Sequence, residues 1–331
     1  MRILVTGSCG YVGSLLCPQL LAEGHEVVGY DTCWFGDGFW SHSNESAKLI
    51  KGDIRDTKAF AKAAKGCDAV IHLACISNDS SCQLDEALST EINYAAFEPL
   101  VLAAKASGVR RFIYCSSSSV YGISESLDVT EDHALVPLTL YNKYKGLCEP
   151  LLFRHQSEDF ECVIIRPATV CGYAPRQRFD LTVNVMTRDA VCKKKITVFG
   201  GEQKRPNLHI NDMCRAYKIL LEAPKHLIAG QIFNVGAQNM KVKDIARLIQ
   251  EIVQEEMPDK LVEIETQPST DNRSYHINSQ KIFNALGFSP RYTVEDAIRD
   301  LCGRFEAGRF RDALTNPWYT NVLQLLDKGI A

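Results

Sequence analysis

The sequence predicts an α/β protein built on a doubly wound parallel sheet, with a smaller C-terminal α/β lobe. Three observations lead there. Short apolar runs alternate with longer helical stretches through the first half of the chain, the pattern of parallel strands joined by crossover helices. A glycine triplet, Gly7, Gly10 and Gly13, follows the first of those runs. The 331 residues carry 46% hydrophobic and 23% charged side chains, globular proportions on a length that suits two domains or one large domain with an appended lobe.

Taken in order, the expected strands are Arg2 to Thr6, Glu26 to Tyr30, Ala69 to Leu73, Arg111 to Ser116 and Cys162 to Arg166. Between them the spacing predicts helices over Tyr11 to Glu23, Thr57 to Lys65, Leu84 to Ser107 and Tyr141 to Gln156, the last opening after Pro137. This is a dinucleotide-binding order. Beyond Pro167 the alternation weakens: Gly172 to Arg178 is rich in turn and basic residues, and Leu181 to Cys192 reads as a helix. A second lobe is expected over 168–331 against a first domain of 1–167, with some later segments returning to the first. In that lobe Ile196 to Phe199 and Gln231 to Val235 surround a helix near Asp212 to Glu222, and Val242 to Val253 puts Ile245, Leu248, Ile249 and Ile252 on one face. The tail from Phe305 to Ala331 reads as a cap or a partner contact.

Composition excludes several classes. Lys plus Arg number 37 and Asp plus Glu 40, a formal charge of -3 with no block of like charges, so no nucleic-acid partner is expected. No apolar run approaches the ~18 residues of a membrane helix, and Ile3 to Val5 is too short for a signal-peptide core, so a cytoplasmic protein is expected. The 13 cysteines are odd in number and none stand at the spacing of a zinc or redox pair, which reads as small buried hydrophobes and no metal.

The strand ending at Thr6 runs into the glycine loop around Tyr11 and Val12. One glycine makes the tight turn, one lets a pyrophosphate approach backbone amides at a helix N-terminus, and one allows close helix-to-sheet packing. Asp31, about 20 residues on, ends the second strand where a carboxylate accepts from adenosine ribose hydroxyls. No Arg or Lys follows Asp31 until Lys48, so NAD is favoured over its 2'-phosphorylated form. Asp53, followed by Ile54, is placed to reach the adenine amino group, or else to cap a turn.

Tyr141 and Lys145 stand four apart on one helix face. A tyrosine has a pKa of ~10, and a neighbouring ammonium together with a positive nicotinamide ring would stabilise its phenolate for general-base work. The pair follows the serine run Ser116 to Ser119 at the end of a strand, where open α/β sheets place their ligand crevice. Thus Ser117, Tyr141 and Lys145 are the candidate catalytic residues.

Together these features resemble the extended short-chain dehydrogenase/reductase (Rossmann) family, in its NAD-dependent nucleotide-sugar epimerase/dehydratase branch. The markers are the glycine loop, His72, Leu73 and Ala74, then Asn93, the serine run ending in Val120, Tyr121 and Gly122, the Tyr141 and Lys145 pair, Arg166 and Pro167, and Arg205 to Asp212. The resemblance implies that Ser117 hydrogen-bonds the substrate hydroxyl, Tyr141 is the acid/base and Lys145 binds the nicotinamide ribose. It also implies that Leu73, Ala74 and Asn93 support the cofactor and that Arg205 clasps a nucleotide diphosphate.

Departures from the family narrow the reaction. The 4,6-dehydratases carry an Asp and a Glu after the catalytic Ser or Thr, and here Ser118 and Ser119 stand in those places. Thr169 replaces a usual Asn, and Pro175 to Asn184 is not the usual epimerase text. Arg176, Arg178 and Asn184 could still grip a diphosphate or sugar, and Tyr275 aligns with the sugar-pocket gatekeeper. The resemblance therefore implies a UDP-glucose 4-epimerase-like enzyme acting on a nucleotide sugar by transient oxidation at carbon 4, and a homodimer formed through the Leu84 to Ser107 and Tyr141 to Gln156 helices. A 4-dehydrogenase or 4-ketoreductase with net NAD turnover would use the same residues. So could a dinucleotide-sensing scaffold, although a sensor has no need of the catalytic trio.

Overall fold

The computed structural model describes residues 1–330 apart from 38, 39, 41–45, 125, 127, 270–273 and 275. Apolar runs without polar interruption need cover on both faces, which a parallel sheet between helix layers provides. The strands of the first half are β1 (Arg2–Thr6), β2 (Glu26–Asp31), β3 (Ala47–Lys51), β4 (Ala69–His72), β5 (Arg111–Cys115) and β6 (Glu161–Pro167). The second half adds β7 (Thr169–Cys171), β8 (Lys195–Phe199), β9 (Lys204–His209), β10 (Gln231–Val235), β11 (Gln238–Lys241) and β12 (Glu263–Gln267). Seven of these form one parallel sheet in the order β10-β6-β5-β4-β1-β2-β3. The register pairs Thr6 with Tyr30 on one side and with His72 on the other. Strand order therefore reverses between β1 and β4, and the crevice of such a sheet opens at their C-terminal ends.

Helices cover the sheet: α1 (Gly13–Ala22), α2 (Thr57–Ala64), α3 (Phe97–Ala106) and α4 (Leu140–Phe153). The sequence predicts one helix from Leu84 to Ser107. Instead a short helix at Glu86–Thr90 passes through a π-helical turn, Glu91–Ala95, before α3 begins. Periodicity cannot show such a turn, because it inserts one residue without changing the apolar character of the run. The strand Ala47–Lys51 was also not expected, having only a half-buried pattern at the sheet edge.

Beyond Pro167 the chain serves two structures. Gln231–Val235, expected in the second lobe, lies beside β6 as the edge of the large sheet. The helix Ile210–Glu222 packs on α1 and β5, so that Met213, Tyr217 and Leu220 share a core with Ile3, Val5, Ile113 and Val163. A separate core of Val183, Ile196, Val198, Ile245, Ile249 and Ala297 joins helices Thr182–Lys193, Val242–Glu256 and Val294–Glu306 to the parallel pair β8 and β12. The C-terminal segment packs Phe310 and Tyr319 against Phe179 and Leu301. Among the described residues no helix is long and apolar enough to cross a membrane, and all 13 cysteines are free thiols, most of them buried.

His72 ends β4 inside the core, its Nδ1 2.8 Å from Thr6 Oγ1 and its ring stacked on Tyr114. Burial, reinforced by the Lys145 ammonium, pushes its pKa down to about 3. A histidine neutral in the fold and charged when unfolded contributes stability that is complete above its unfolded pKa and is lost as pH falls toward its folded one. Urea unfolding should therefore show a loss of about 3 kcal/mol from this group between pH 7 and pH 4. His72→Asn should be less stable at pH 7 but flatter across that interval. An unchanged pH slope in the variant would contradict this.

Candidate active site

The chain turns out of β1 at Gly7, whose φ of +70° is left-handed, and a Cβ there would lie 2.7 Å from the Ala74 nitrogen. The ends of β1 and β4 thus touch where the strand order reverses, and no side chain larger than hydrogen fits. Gly10 closes the turn through its N–H to the Gly7 carbonyl at 3.0 Å. At Gly13 a Cβ would stand 2.4 Å from the Gly7 oxygen, so α1 can start this close to the strand only with glycine. No side chain caps α1. The Ser14 and Leu15 N–H groups donate to the Gly10 and Val12 carbonyls at 2.9 and 3.1 Å, and the positive end of the helix dipole meets the cavity at Gly10, Val12 and Gly13, the arrangement that suits a pyrophosphate.

A cavity of about 380 Å³ opens at this point. Gly7, Gly10, Tyr11, Val12, Gly13, Asp31, Asp53, Ile54, Leu73 and Ala74 line it, and so do Ser117, Tyr141, Lys145, Arg178 and Arg205. Asp31 sits at the end of β2 with its carboxylate oxygens accepting from the Cys9 and Cys33 backbone N–H groups at 2.9 and 2.7 Å. Burial raises its pKa, with those two bonds and the Arg176 guanidinium opposing the rise. Burial likewise works against the Asp53 charge, but the Arg55 fork and backbone N–H outweigh it and hold that carboxyl below its ordinary range. The Asp53 side chain is thus both a cavity wall and a turn carboxylate.

The Cys9 and Cys33 thiols and the Asp31 carboxylate lie within 4.8 Å of one another, a grouping that sequence spacing does not reveal. Burial pushes both thiols up, and the Asp31 charge adds to it.

Two expected residues stand apart from the cavity wall. The Asn93 amide lies in the π-helical turn and bonds the Ile76 backbone on both sides, Oδ1 from the N–H at 2.8 Å and Nδ2 to the carbonyl at 2.9 Å. It shapes the loop after β4, and Ile76 is what lines the cavity. Asn184, expected to reach substrate, is buried behind the wall, where its amide bonds the Gly172 N–H, the Arg178 carbonyl and the Tyr11 hydroxyl. That hydroxyl is turned outward too, donating to the Gly172 carbonyl at 2.6 Å, so Tyr11 meets the cavity without it. Tyr275 lies outside the described residues.

Ser117, Tyr141 and Lys145 meet on one wall. Ser117 Oγ is 2.7 Å from Ser119 Oγ, which donates in turn to Asn142 Oδ1 at the start of α4. Thr139 caps α4, accepting from the Asn142 N–H while donating to Asp79 Oδ1 at 2.6 Å. Lys145 Nζ donates to the Cys115 carbonyl at 2.7 Å and lies 5.8 Å from the Tyr141 ring centroid. In the chain by itself burial pushes the Tyr141 phenol well above its ordinary value, Cys75 and Cys115 add to the rise, and the Arg178 guanidinium opposes it. Sequence reasoning missed Trp34, Phe35, Ser77 and Asn321, all of which line the cavity. The first three follow strand ends, where a loop search could have found them, whereas Asn321 carries no local signal.

A fold of this order, with a glycine loop and a Ser, Tyr and Lys wall around one crevice, defines a dinucleotide-dependent enzyme. Residues 3–236 match the family described as the NAD dependent epimerase/dehydratase family. The chain is 32% identical over 265 residues to an uncharacterized UDP-glucose epimerase, YtcB, of Bacillus subtilis (strain 168), covering 76% of this chain and 82% of the relative. It is 32% identical over 246 residues to a UDP-glucose 4-epimerase of Mycolicibacterium smegmatis, covering 71% and 77%. The solved structure of a UDP-glucuronic acid 4-epimerase from Bacillus cereus, in complex with UDP-glucuronic acid and NAD, is 28% identical, with a TM-score of 0.82 over 93% of this chain and 99% of that one. The chain belongs to the NAD dependent epimerase/dehydratase family, and NAD is its cofactor. The glycine cradle and the uncapped α1 fit that group.

A buried ion pair fixes the wall. Glu149, on the α4 face that carries Tyr141 and Lys145, accepts from Arg166 Nη2 at 2.6 Å and Nε at 3.0 Å and from Ser116 Oγ at 2.6 Å. Glu149→Ala leaves Arg166 buried without its counter-charge and should cost about 3–5 kcal/mol in urea unfolding. Replacing both partners together, Glu149→Leu with Arg166→Met, should cost less than the single change. The reverse ranking would show that the pair is not what holds the wall.

Proposed function

We propose that the protein is an NAD-dependent nucleotide-sugar epimerase that works by transient oxidation at carbon 4 of the sugar. The observation that carries this reading is the convergence of Ser117, Tyr141 and Lys145 on the wall of the cavity opened by the glycine loop. The names of the relatives support the nucleotide sugar as substrate class. Bound NAD supplies the hydride acceptor, and in an epimerase the same hydride returns to the opposite face of the sugar.

The chain's own groups supply placement and proton transfer. Ser117 holds the carbon 4 hydroxyl, and Tyr141 takes its proton and later gives it back. Burial by itself makes Tyr141 a weaker acid than free tyrosine, so the phenolate needs cationic neighbours, and Lys145 and Arg178 are the two that line the cavity beside it. Arg205 reaches the cavity from β9 and is assigned to the substrate diphosphate. Ser118 is buried, and Ser119 bridges Ser117 to Asn142. Neither can remove a proton from carbon 5 or protonate a leaving hydroxyl as a carboxyl pair does, which weighs against dehydration.

The test is turnover of UDP, GDP, CDP and dTDP sugars by the purified protein without added cofactor, with products identified by NMR and NADH followed in the near ultraviolet. A stereoisomer with no lasting NADH is expected. Lasting NADH with a keto sugar would replace the epimerase by a 4-dehydrogenase. Tyr141→Phe should lower the rate by ~10²- to 10⁴-fold, and full turnover in that variant would remove the assigned chemistry.

The same reading includes a homodimer through α3 and α4, supported by Leu102 and Leu147, which are exposed on those helices. Sizing chromatography should give a species of twice the chain's 36.9 kDa, and a monomer at all concentrations would remove the dimer.

A further inference from the structure

Two buried cations line the cavity without being accounted for by the catalytic trio. Arg176 is 3% exposed and Arg178 is 8% exposed, and both come from the turn-rich segment after β7. Arg178 donates through Nε to Asp180 at 2.8 Å and through Nη1 to Ser77 Oγ at 3.2 Å, and its Nη2 is buried without a partner. Arg176 donates through Nη2 to Asn321 Oδ1 at 2.6 Å and lies 4.1 Å over the Phe35 ring, and its Nε is buried without a partner.

The charges around this pair do not balance. Asp180 is the one carboxylate ion-paired to either arginine among the described residues, and its other oxygen is already taken by the Asn321 N–H and the Asn78 amide. Asp31 is within electrostatic reach of Arg176, but its oxygens are occupied by backbone N–H groups. Burial, with the second guanidinium beside it, pushes Arg176 down to about 9. A buried cation in excess of its counter-charges calls for an anion.

Its location says which one. The Arg176 backbone N–H donates to Ser14 Oγ in the first turn of α1, so the segment that carries both guanidiniums is fastened beside the uncapped, positive end of that helix. Ser77, which accepts from Arg178, belongs to the loop after β4 on the far side of the crevice. Positive elements from two parts of the chain, the start of α1 and the segment that carries both guanidiniums, therefore face one region, and a guanidinium fork matches phosphate oxygens.

We propose that Arg176 and Arg178 grip the diphosphate bridge of the dinucleotide together with the N-terminus of α1, and that Asn321 of the C-terminal segment is a positioning residue holding that grip closed. Asn321 bonds Arg176, the Asp180 carboxylate and Ser77 at once. Next to it Trp318 Nε1 and Gln324 Nε2 donate to the Phe35 and Trp34 carbonyls at 2.8 and 3.0 Å. The segment thereby latches three loops around the cofactor end of the cavity.

A nucleotide sugar also carries a diphosphate, so the experiment separates the two sources. Calorimetry gives the Kd for NAD with no sugar present, the Kd for NADP, and the Kd for UDP on the NAD-saturated protein. Cofactor released on denaturation gives the NAD content as purified. Arg178→Gln and Arg176→Gln should each weaken NAD by about 10- to 100-fold and lower its content, leaving UDP within about twofold. Arg178→Lys should restore part of the loss. Asn321→Ala should weaken NAD in the wild-type background and have a clearly smaller effect in the Arg176→Gln background, where only its bonds to Ser77 remain to be lost, which a general loss of structure would not produce.

NAD affinity within twofold of wild type in both arginine variants would overturn the proposal. Loss of UDP with NAD retained would overturn it in favour of the substrate's diphosphate, and loss confined to NADP in favour of a 2'-phosphate. An equal loss of every ligand with an altered near-ultraviolet circular dichroism spectrum would also overturn it, since the pair would then be structural. None of these readouts depends on turnover, so a failed epimerase assay leaves the test intact.

Discussion

The arrangement of the active wall depends on the buried Glu149–Arg166 pair. Positions 141, 145 and 149 recur every four residues on α4, so the helix presents Tyr141 and Lys145 on the face that Glu149 anchors. Glu149 is tied to Ser116 at the end of β5 and to Arg166 on β6. Arg166 Nη1 extends the network to the Tyr121 hydroxyl and the Glu131 carbonyl, and Tyr121 donates to Asn234 on β10 at 2.8 Å. Desolvating such a pair is unfavourable unless its lone pairs and protons are satisfied, and here each participating group has partners in a different element. The network sets the distance from the serine turn to the helix, which is the distance the proposed proton transfer needs.

A second device sets the opposite side of the crevice. The extra residue of the π-helical turn at Glu91–Ala95 brings the Asn93 amide level with Ile76, where it replaces the strand hydrogen bonds that end with β4. Cys148 Sγ donates to the Asn93 carbonyl at 3.3 Å, so α4 also steadies this turn. One helix therefore positions both the Tyr141 and Lys145 side chains and the loop that faces them. A regular helical turn at Asn93 would rotate the amide away from Ile76 and leave that backbone without partners.

What the sequence made legible was local. The strand runs, the glycine loop, Asp31 and the Tyr141 and Lys145 spacing each announce themselves within a window of a few residues, because period, turn geometry and helix facing are local properties. Long-range placement left no such trace. Nothing in the text of Gln231–Val235 says which sheet it joins, since a buried parallel strand reads alike in either. Asn184 and Asn93 belong to segments that shape the cavity, yet their amides bond backbone behind its wall. The absence of a cation between Asp31 and Lys48 holds along the sequence but not in the space around Asp31, because the fold brings Arg176 to the same end of the cavity.

The residues hardest to read are also those that cost the unliganded fold most. Two guanidiniums sharing one ion-paired carboxylate, a phenol made a weaker acid by burial and a helix left without an N-cap each break a rule that stable cores obey. Their cost is borne by the large sheet and by the C-terminal latch, which keep them in place whether or not a ligand is there to satisfy them. A ligand that supplies the missing charge and acceptors binds the folded chain alone, so occupancy stabilises the fold by mass action. The local violations cluster around one cavity because a site preorganised for an anion is, before the anion arrives, a concentration of unsatisfied positive charge.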